Sequence, residues 1–255
     1  MHFTQVRNAT VRFEYAGQKF LVDPWLQEQG AMGPFFFDPN GLHNPLTPLP
    51  EPAAEILKDI DAYIVTHVHA DHFDINSDNT GGNLLEKQTP IFVQNEDDRQ
   101  FMLRSGFSDV RLLNPQGSDF CGIHIIKTPA RHGTIAPCGP ACGFILQSPT
   151  EKTVYFAGDT IWYPDVAQTI QQYQPDVIVV NACAAAIPDI FGRLIMNDED
   201  VVAVCHAAPQ AAVIASHMDT VSHATLTRAT LAQALQSTDV FHQVHIPLDG
   251  EQLTF

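Results

Sequence analysis

The hydrophobic and polar positions near the start of the chain follow the period of a β-strand. Val11, Phe13 and Tyr15 alternate with polar or charged residues, and turn-forming residues occupy positions 7–9 and 16–18. Such alternation is typical of a half-buried strand, because successive side chains point to opposite faces of a sheet. Residues 3–23 are therefore predicted to form short strands joined by turns.

Short apolar runs then alternate with helical stretches over most of the chain. Strands are predicted at 61–66, 91–94, 123–128, 143–147, 153–157, 177–180, 211–215 and 240–246. Helices are predicted at 53–58, at 96–105, at 166–173, from 197 onwards, and from a cap at Thr220 or Ser222 to about Leu235. This order indicates an α/β fold, although the strands are too numerous for a simple doubly wound sheet. No flexible linker divides the chain, so residues 1–255 are expected to form one domain.

Residues 24–52 have a different composition, rich in Pro, Gly and Asn, with aromatic side chains that include Trp25 and Phe36. A long loop of this kind is either an insertion or a cover over a binding site, and its aromatic content favours the cover. Trp25 and the run Phe35, Phe36 and Phe37 are candidates for lining an apolar substrate pocket, although they could also simply bury the loop. His43, in the same loop, is a further candidate for contact with substrate.

Composition and charge narrow the class of protein. The chain has 255 residues, 29 acidic against 13 basic, for a formal net charge of −16. So acidic a surface repels phosphate backbones, which argues against bulk nucleic-acid binding. No stretch is apolar and long enough to span a membrane, and no secretory signal is visible. With an odd number of cysteines, five, we expect a reducing, cytoplasmic location.

Histidine is the residue type that points to chemistry, with twelve in the chain. His67, His69, Asp71 and His72 follow directly after the predicted strand at 61–66. In an extended segment, residues i and i+2 point the same way, so His67 and His69 can hold one ion together. Asp71 and His72 come after the turn, where they can reach a second ion. Four metal-binding residue types within six positions make a chance polar loop improbable.

Three more predicted strands end in the same way. His132, Asp159 and His217 each follow an apolar strand and are flanked by small residues. Taken singly, each is explained equally well as an ordinary loop or core residue. Because ligands in open α/β sheets gather at the carboxyl ends of strands, the joint pattern predicts a site for two metal ions.

These motifs resemble the metallo-β-lactamase superfamily of metal-dependent hydrolases. The resemblance rests on His67-x-His69-x-Asp71-His72, then His132, Asp159 in Gly-Asp-Thr, and His217, in that order along most of the chain. Residues 23–26 and 196–198 are similar to the subgroup of ascorbate-6-phosphate lactonases and phospholipase-D-like members. The family fold is an αβ/βα four-layer sandwich of two mixed β-sheets with helices outside, which fits the number of strands.

The resemblance also implies roles for the site residues. His67, His69 and His132 would hold one divalent ion, Asp71, His72 and His217 the other, and Asp159 would bridge both together with a water. Two cations roughly 3.5–4 Å apart lower the pKa of such a water and polarise the bond under attack. Zinc suits this imidazole-rich set, and manganese or iron would also be accepted. Asp71 would in addition orient the hydroxide or take up a proton.

The expected activity is hydrolysis of a phosphoester, a lactone or a related ester in a small molecule. His223 is a candidate general acid, and Arg131 could bind an anionic group or form an ordinary salt bridge. β-Lactamases proper usually have a cysteine among the metal ligands, and the absence of one here argues against that activity. Flavodiiron oxidoreductases have a glutamate at the position of His69, so His69 argues against that class. A glyoxalase II-type thioesterase, a mononuclear-iron persulfide dioxygenase and a non-catalytic metal-binding protein stay open as alternatives, as does a homo-oligomer.

Overall fold

The computed structural model describes residues 1–35, 37–38 and 40–255. Its strands are, in chain order, β1 (His2–Arg7), β2 (Thr10–Tyr15), β3 (Gln18–Val22), β4 (Ala62–Val65), β5 (Ile91–Val93), β6 (Val110–Leu112), β7 (Ser118–Phe120), β8 (Ile123–Pro129), β9 (Cys142–Ser148), β10 (Glu151–Phe156), β11 (Val177–Asn181), β12 (Ala186–Ile187), β13 (Gly192–Arg193), β14 (Ala212–Ser216), β15 (Val244–His245) and β16 (Gln252–Thr254). The helices are α1 (Ala53–Ile56), α2 (Glu96–Arg104), α3 (Pro164–Tyr173), α4 (Asp198–Ala207) and α5 (Arg228–Leu235).

The strands form two mixed seven-stranded sheets and one small hairpin. The first sheet has the order β16-β1-β2-β3-β4-β5-β6, the second has the order β15-β14-β11-β10-β9-β8-β7, and β12 pairs with β13. In the first sheet β3, β4, β5 and β6 run parallel, and in the second β10, β11, β14 and β15 run parallel. This arrangement confirms the predicted αβ/βα sandwich of two mixed sheets.

The apolar side chains form three layers of core. One layer lies between the sheets and contains aromatic residues of both, among them Phe13, Phe144 and Phe156. The ring of Phe156 stacks on Phe144 at 4.7 Å and meets Phe13 edge-on at 5.3 Å. Aromatic pairs of this geometry each contribute about 0.5–1.5 kcal/mol beyond the area they bury. They fix the end of β10, three residues before Asp159.

The two outer layers join helices to the sheets. Val166 and Ile170 of α3, Val201 and Val204 of α4, and Leu231 and Leu235 of α5 pack with residues of the second sheet. Ile56 of α1 and Phe101 and Met102 of α2 pack with residues of the first sheet. In the described part of the chain, no helix is long and apolar enough to cross a membrane.

The last part of the chain corrects two predictions. The final helix is not capped at Thr220 or Ser222 but at Thr227, whose side chain accepts a hydrogen bond from the Thr230 amide. The predicted strand at 240–246 is reduced to β15, because a short 3₁₀ helix occupies Phe241–Gln243. The residues freed from the helix form a loop directly after His217, and this loop carries His223.

Residues 24–52 lack strands and helices over their described part, as predicted for a loop. An isolated antiparallel bridge joins Met32 to Asn44, with backbone hydrogen bonds of 2.8 and 2.9 Å. The segment therefore doubles back on itself, and Phe35 and Phe37 lie in the sequence between the two bridged positions.

Candidate metal centre

The seven residues predicted as ligands converge at the carboxyl ends of four strands. His67, His69, Asp71 and His72 follow β4, and His132, Asp159 and His217 follow β8, β10 and β14. Their donor atoms form three overlapping groups, each with all atoms within 4.8 Å: His67, His69 and His132; His67, His72 and Asp159; Asp71, His72 and His217. Six of the seven are buried, and His69 is partly exposed.

Asp159 belongs to the second group and lies between the first and the third. Its Oδ2 is 3.8 Å from Nε2 of His67 and 3.6 Å from Nε2 of His132 on one side, and 3.3 Å from Nε2 of His72 on the other. The second oxygen, Oδ1, accepts a hydrogen bond of 2.7 Å from the side-chain Nδ2 of Asn181. One carboxylate oxygen is therefore held by the protein while the other faces both groups.

Several imidazole rings are oriented through the nitrogen that points away from the site. Asp23 Oδ2 accepts from Nδ1 of His72 at 2.9 Å, and the Leu194 carbonyl accepts from Nδ1 of His132 at 3.1 Å. Asp23 also accepts from the Thr66 hydroxyl, which lies 3.1 Å from Nδ1 of His67. Such partners fix the tautomer so that Nε2 presents its lone pair to the site.

Asn8 belongs to this site and was not found from the sequence. Its Nδ2 donates to the Asp71 carbonyl at 2.9 Å and lies 3.2 Å from Nε2 of His217. In return, the backbone amide of His217 donates to the Asn8 carbonyl. Asn8 has a φ of 53° in the β1–β2 turn, and His217 has a φ of 65°. Asparagine tolerates this left-handed backbone better than most residues. The predicted turn at 7–9 was the available signal, but nothing in the sequence indicated what the turn contacts.

Burial and charge shift the pKa values of the cluster in opposite directions. Burial lowers the pKa of His67 well below its ordinary value, and the nearby His72 and His69 add to this. For His72 burial acts in the same direction, but Asp159 and Asp23 outweigh it and raise the pKa to about 10. For Asp159 burial raises the pKa, yet His72, His217 and His132 hold it well below the ordinary carboxyl value. The site therefore contains ionised carboxylates among imidazoles.

The geometry fits divalent cations. Nε2 of His72 is 3.2 Å from Nε2 of His217, and Nε2 of His67 is 3.0 Å from Nδ1 of His69. Ring nitrogens this close can share either a proton or a metal cation, and two carboxylates supply negative charge that favours a cation there. Imidazole and carboxylate are ligands for zinc, manganese and iron alike, so the residues present define a metal-binding cluster.

A cavity of about 190 Å³ opens directly onto the cluster. The ligands His69, Asp71, His132, Asp159 and His217 form its floor. Its walls are mainly apolar and comprise Phe35, Phe37, Cys138, Ala185, Ile187, Leu194 and His223. No lysine or arginine is among the described residues that line it. The cavity therefore suits a small ligand with an apolar body.

His223 lines this cavity, as expected for a candidate catalytic residue. Its ring meets Phe35 edge-on at 4.6 Å and Phe37 at 5.3 Å. Its Nδ1 is buried and has no hydrogen-bond partner within the described residues. Burial lowers the pKa of the ring, although the charge of Asp71 opposes this. The ring is consequently neutral near pH 7.

The other predicted substrate residues have different positions. Trp25 is fully buried beside Arg7 and does not line the cavity. His43 is exposed, with Nδ1 3.1 Å from the Gly30 carbonyl, and the exposed Arg131 donates to the carbonyls of Gly133 and Thr134. Neither lines the cavity. Phe36 lies outside the described residues. Phe35 and Phe37, on either side of it in the sequence and named with it as candidates, line the cavity.

Fold and cluster together define a metal-dependent hydrolase with the metallo-β-lactamase fold. Residues 18–218 match the family described as "Beta-lactamase superfamily domain". The UPF0173 protein YddR of Bacillus subtilis (strain 168) is 41% identical, with 100% of each chain covered. More distant relatives, such as one from Solibacter usitatus that is 24% identical over 86% of this chain and 86% of its own, are described as UPF0173 metal-dependent hydrolases.

Two solved structures extend this likeness to the whole fold. The isothiocyanate hydrolase from Delia radicum gut bacteria superposes with a TM-score of 0.92 at 35% identity, over 100% of this chain and 99% of that one. A protein from Veillonella parvula DSM 2008, described as a possible metal-dependent hydrolase, gives 0.93 at 33% identity with the same coverage. The chain belongs to the metallo-β-lactamase superfamily, and within it to the UPF0173 family of metal-dependent hydrolases.

Proposed function

We propose that this hydrolase holds two divalent ions and cleaves a small, uncharged, mainly apolar molecule, with an isothiocyanate as the first candidate substrate. The observation that carries the proposal is the cavity over the metal cluster, which has apolar walls and no cationic side chain among its described lining residues. The isothiocyanate hydrolase named above, 35% identical over the whole chain, supports the choice of substrate class.

The residue groups support two ions rather than one. His67, His69 and His132 would hold one ion and Asp71, His72 and His217 the other, with Asp159 shared, as the resemblance implied. When bound, two such ions would make hydroxide available near neutral pH and polarise the bond that is attacked. The imidazole-rich donor set favours zinc, and manganese or iron can use the same ligands.

The reaction would convert R–N=C=S and water into R–NH₂ and O=C=S. The water oxygen bonds to the central carbon, the carbon–nitrogen bond breaks, and both water hydrogens end on nitrogen. Asp71 faces the cavity floor as an ionised carboxylate, because the hydrogen bond from His217 and the charge of His72 outweigh burial in setting its pKa. It would orient the water and take up the first proton.

His223 would serve the nitrogen of the substrate. Its neutral ring carries one N–H, and Nδ1 is buried at the wall of the cavity without a partner in the described structure. As a neutral ring it would first take up a proton released from the water, and the resulting imidazolium would pass that proton to the departing nitrogen. Phe35 and Phe37 pack around this ring, so they would hold the apolar R group beside it and exclude water.

A lactone or a related ester is the second candidate, because the same cavity suits an uncharged carbonyl compound. A phosphoester fits less well, since the walls are mainly apolar, no lysine or arginine among the described lining residues adds to the charge that bound metal ions would supply, and Arg131 points elsewhere. A glyoxalase II-type thioesterase and a persulfide dioxygenase are distinguishable alternatives, and a protein without turnover is a third.

The test is a substrate panel with the metal-loaded protein. Benzyl and methyl isothiocyanate, a γ-lactone, a thioester and bis(p-nitrophenyl) phosphate would be compared by product formation, with oxygen uptake recorded for a persulfide. We expect amine and carbonyl sulfide in equal amounts, with the benzyl compound preferred. Turnover of the phosphodiester alone, oxygen uptake, or no turnover of any compound would each contradict the proposal.

A further inference from the structure

Arg7 carries a buried positive charge that contacts both ends of residues 24–52. It is the last residue of β1 and is fully buried. Its Nη2 donates to the carbonyls of Trp25 and Gln27 at 3.1 and 2.8 Å, and its Nη1 donates to the carbonyl of Thr47 at 3.0 Å. The guanidinium also lies 5.2 Å from the ring of Trp25. One side chain thus joins the start of this segment to its end.

This arrangement is energetically unusual. No carboxylate lies within 4 Å of the Arg7 guanidinium in the described residues, so its direct partners are neutral carbonyls. Burial lowers its pKa to about 10, against the opposing charges of Asp249, Asp74 and Glu28. A buried charge without a direct counter-ion is costly unless its hydrogen bonds are satisfied. The carbonyls of residues 24–52 accept from Nη1 and Nη2 only when both ends of the segment are in place, and Nε has no partner among the described residues.

Further contacts tie the same segment to the loops that carry metal ligands. Asp74, two residues after His72, accepts from the amides of Leu26 and Gln27 at 3.0 and 3.2 Å. On the other side, Asn44 accepts from the Ser222 amide at 2.9 Å, in the loop after His217. Between these ties the chain doubles back through the bridge from Met32 to Asn44. Phe35 and Phe37 lie in the part that the bridge closes off, over the cavity.

The next residue along the chain faces the metal cluster. The Asn8 side chain donates to the carbonyl of Asp71, and the Asn8 carbonyl accepts from the backbone amide of His217. Arg7, by contrast, bonds to residues 24–52. Two consecutive residues of one turn therefore fix the metal-binding loops and the covering segment relative to each other. A change at Arg7 reaches the cavity through Phe35 and Phe37 and leaves the ligands themselves in contact with Asn8.

We propose that Arg7 is a positioning residue that clamps residues 24–52 at both ends, so that Phe35 and Phe37 cover the metal centre and set the preference for apolar substrates. The preference for apolar substrates rests on the proposed function, whereas the clamp does not. Arg7 acts through the aromatic side chains and does not touch substrate.

The experiment compares Arg7→Ala and Arg7→Lys with Arg12→Ala in the full metal-loaded protein. Arg12, on the neighbouring strand, also donates to backbone carbonyls, those of Glu55 and Lys58, but away from the covering segment. Hydrogen exchange is measured first, on the amides of Gly30, Met32, Asn44 and Leu46, which are hydrogen-bonded. Metal content and the exchange of the sheets are recorded in parallel.

We expect Arg7→Ala to increase exchange at least tenfold in residues 26–48 only, with unchanged metal content. Arg7→Lys should have an intermediate effect, because a single ammonium cannot bond both ends at once. Millimolar methylguanidinium, but not methylammonium, should restore protection in Arg7→Ala. Wild-type protection in a folded Arg7 variant would overturn the clamp. If Arg7→Ala does not fold, protection equal to wild type in Arg7→Lys does the same.

Activity then separates the clamp from the proposed function. With benzyl isothiocyanate we expect KM to rise about tenfold in Arg7→Ala, kcat to change less than threefold, and the preference over methyl isothiocyanate to fall. A tenfold loss of kcat with unchanged KM would overturn the claim that Arg7 positions the aromatic side chains that cover the substrate. Increased exchange in Arg7→Ala, together with a wild type that cleaves no isothiocyanate, would leave the clamp supported and the proposed substrate refuted.

Discussion

The carboxylate of Asp23 and the ring of His72 are joined by a hydrogen bond of 2.9 Å between Oδ2 and Nδ1, although 49 residues separate them. Asp23 follows β3, which runs parallel to β4, so the strand pairing brings it beside the metal-binding motif. Its other oxygen accepts from the Thr66 amide at 2.7 Å. Asp23 therefore fixes both the start of the motif and the orientation of one ligand ring.

Replacing Asp23 by Asn should weaken metal binding without removing a ligand. The amide has no full negative charge to polarise His72, and a flipped amide would donate where an acceptor is needed. Loss of such an outer partner typically lowers affinity about 10–100-fold. Competition with a chromophoric chelator measures the change. The matched control is Asp61→Asn. The Asp61 carboxylate accepts from the Lys19 backbone amide in an exposed hydrogen bond. Equal affinities of the Asp23 variant and wild type would be evidence against this role.

Metal binding should release protons and strengthen as pH rises. In the metal-free protein Asp159 and Asp23 raise the pKa of His72 to about 10, so the ring is protonated at pH 7 and must lose its proton to bind an ion. Each displaced proton makes affinity rise by roughly tenfold per pH unit below that pKa. Calorimetry at pH 6.5, 7.5 and 8.5, in buffers of different ionisation enthalpy, counts the protons. An affinity independent of pH over this range would refute the ionisation assigned to His72.

The two cavity aromatics should control substrate binding rather than chemistry. Truncation of Phe37 to Ala removes apolar surface from the wall of the cavity, and burying a phenyl group is worth about 1.5–3 kcal/mol. We expect KM for benzyl isothiocyanate to rise at least tenfold and metal content to be unchanged. Steady-state kinetics measures this, with Phe241→Ala, an exposed position away from the cavity, as the control. Unchanged KM would show that the aromatic wall does not contact substrate.

His223 should affect turnover with little effect on metal. We expect His223→Gln to lower kcat by roughly 10²–10³-fold, since a proton donor to the leaving nitrogen is lost. The kcat for an aryl isothiocyanate, whose leaving nitrogen needs less protonation, should fall less than the kcat for an alkyl isothiocyanate. The ratio of the two losses separates proton transfer from packing, because a packing defect would slow both substrates equally. Equal losses would exclude His223 as the proton donor.

Much of the fold was predictable because strand periodicity and strand order left few arrangements open. The seven ligand-type residues follow apolar strands, so their meeting at one edge followed from the topology of parallel strands. Edge elements such as β6, β7 and β16 were missed, because strands this short have little periodic signal of their own. The cap at Thr227 was missed since Thr220 and Ser222 have the same local chemistry, and tertiary contacts with residues 44–47 hold those two in a loop instead.

The contacts around the ligands were less predictable. Asn8 and Arg7 act through partners that are distant in sequence, and no local pattern reveals such partners. Trp25 was a reasonable aromatic candidate for the pocket, but it is buried beneath Arg7, while Phe35 and Phe37 reach the cavity. Composition indicated that the segment is aromatic and could not indicate which ring points where.

The number of metal ions per chain tests the central claim most directly. Metal-free protein would be saturated with zinc, passed through a desalting column and analysed by elemental mass spectrometry together with His69→Ala and His217→Ala. We expect two ions in the wild type and close to one in each variant, since each substitution removes a ligand from a different group. One ion per chain in the wild type, or two in both variants, would contradict it.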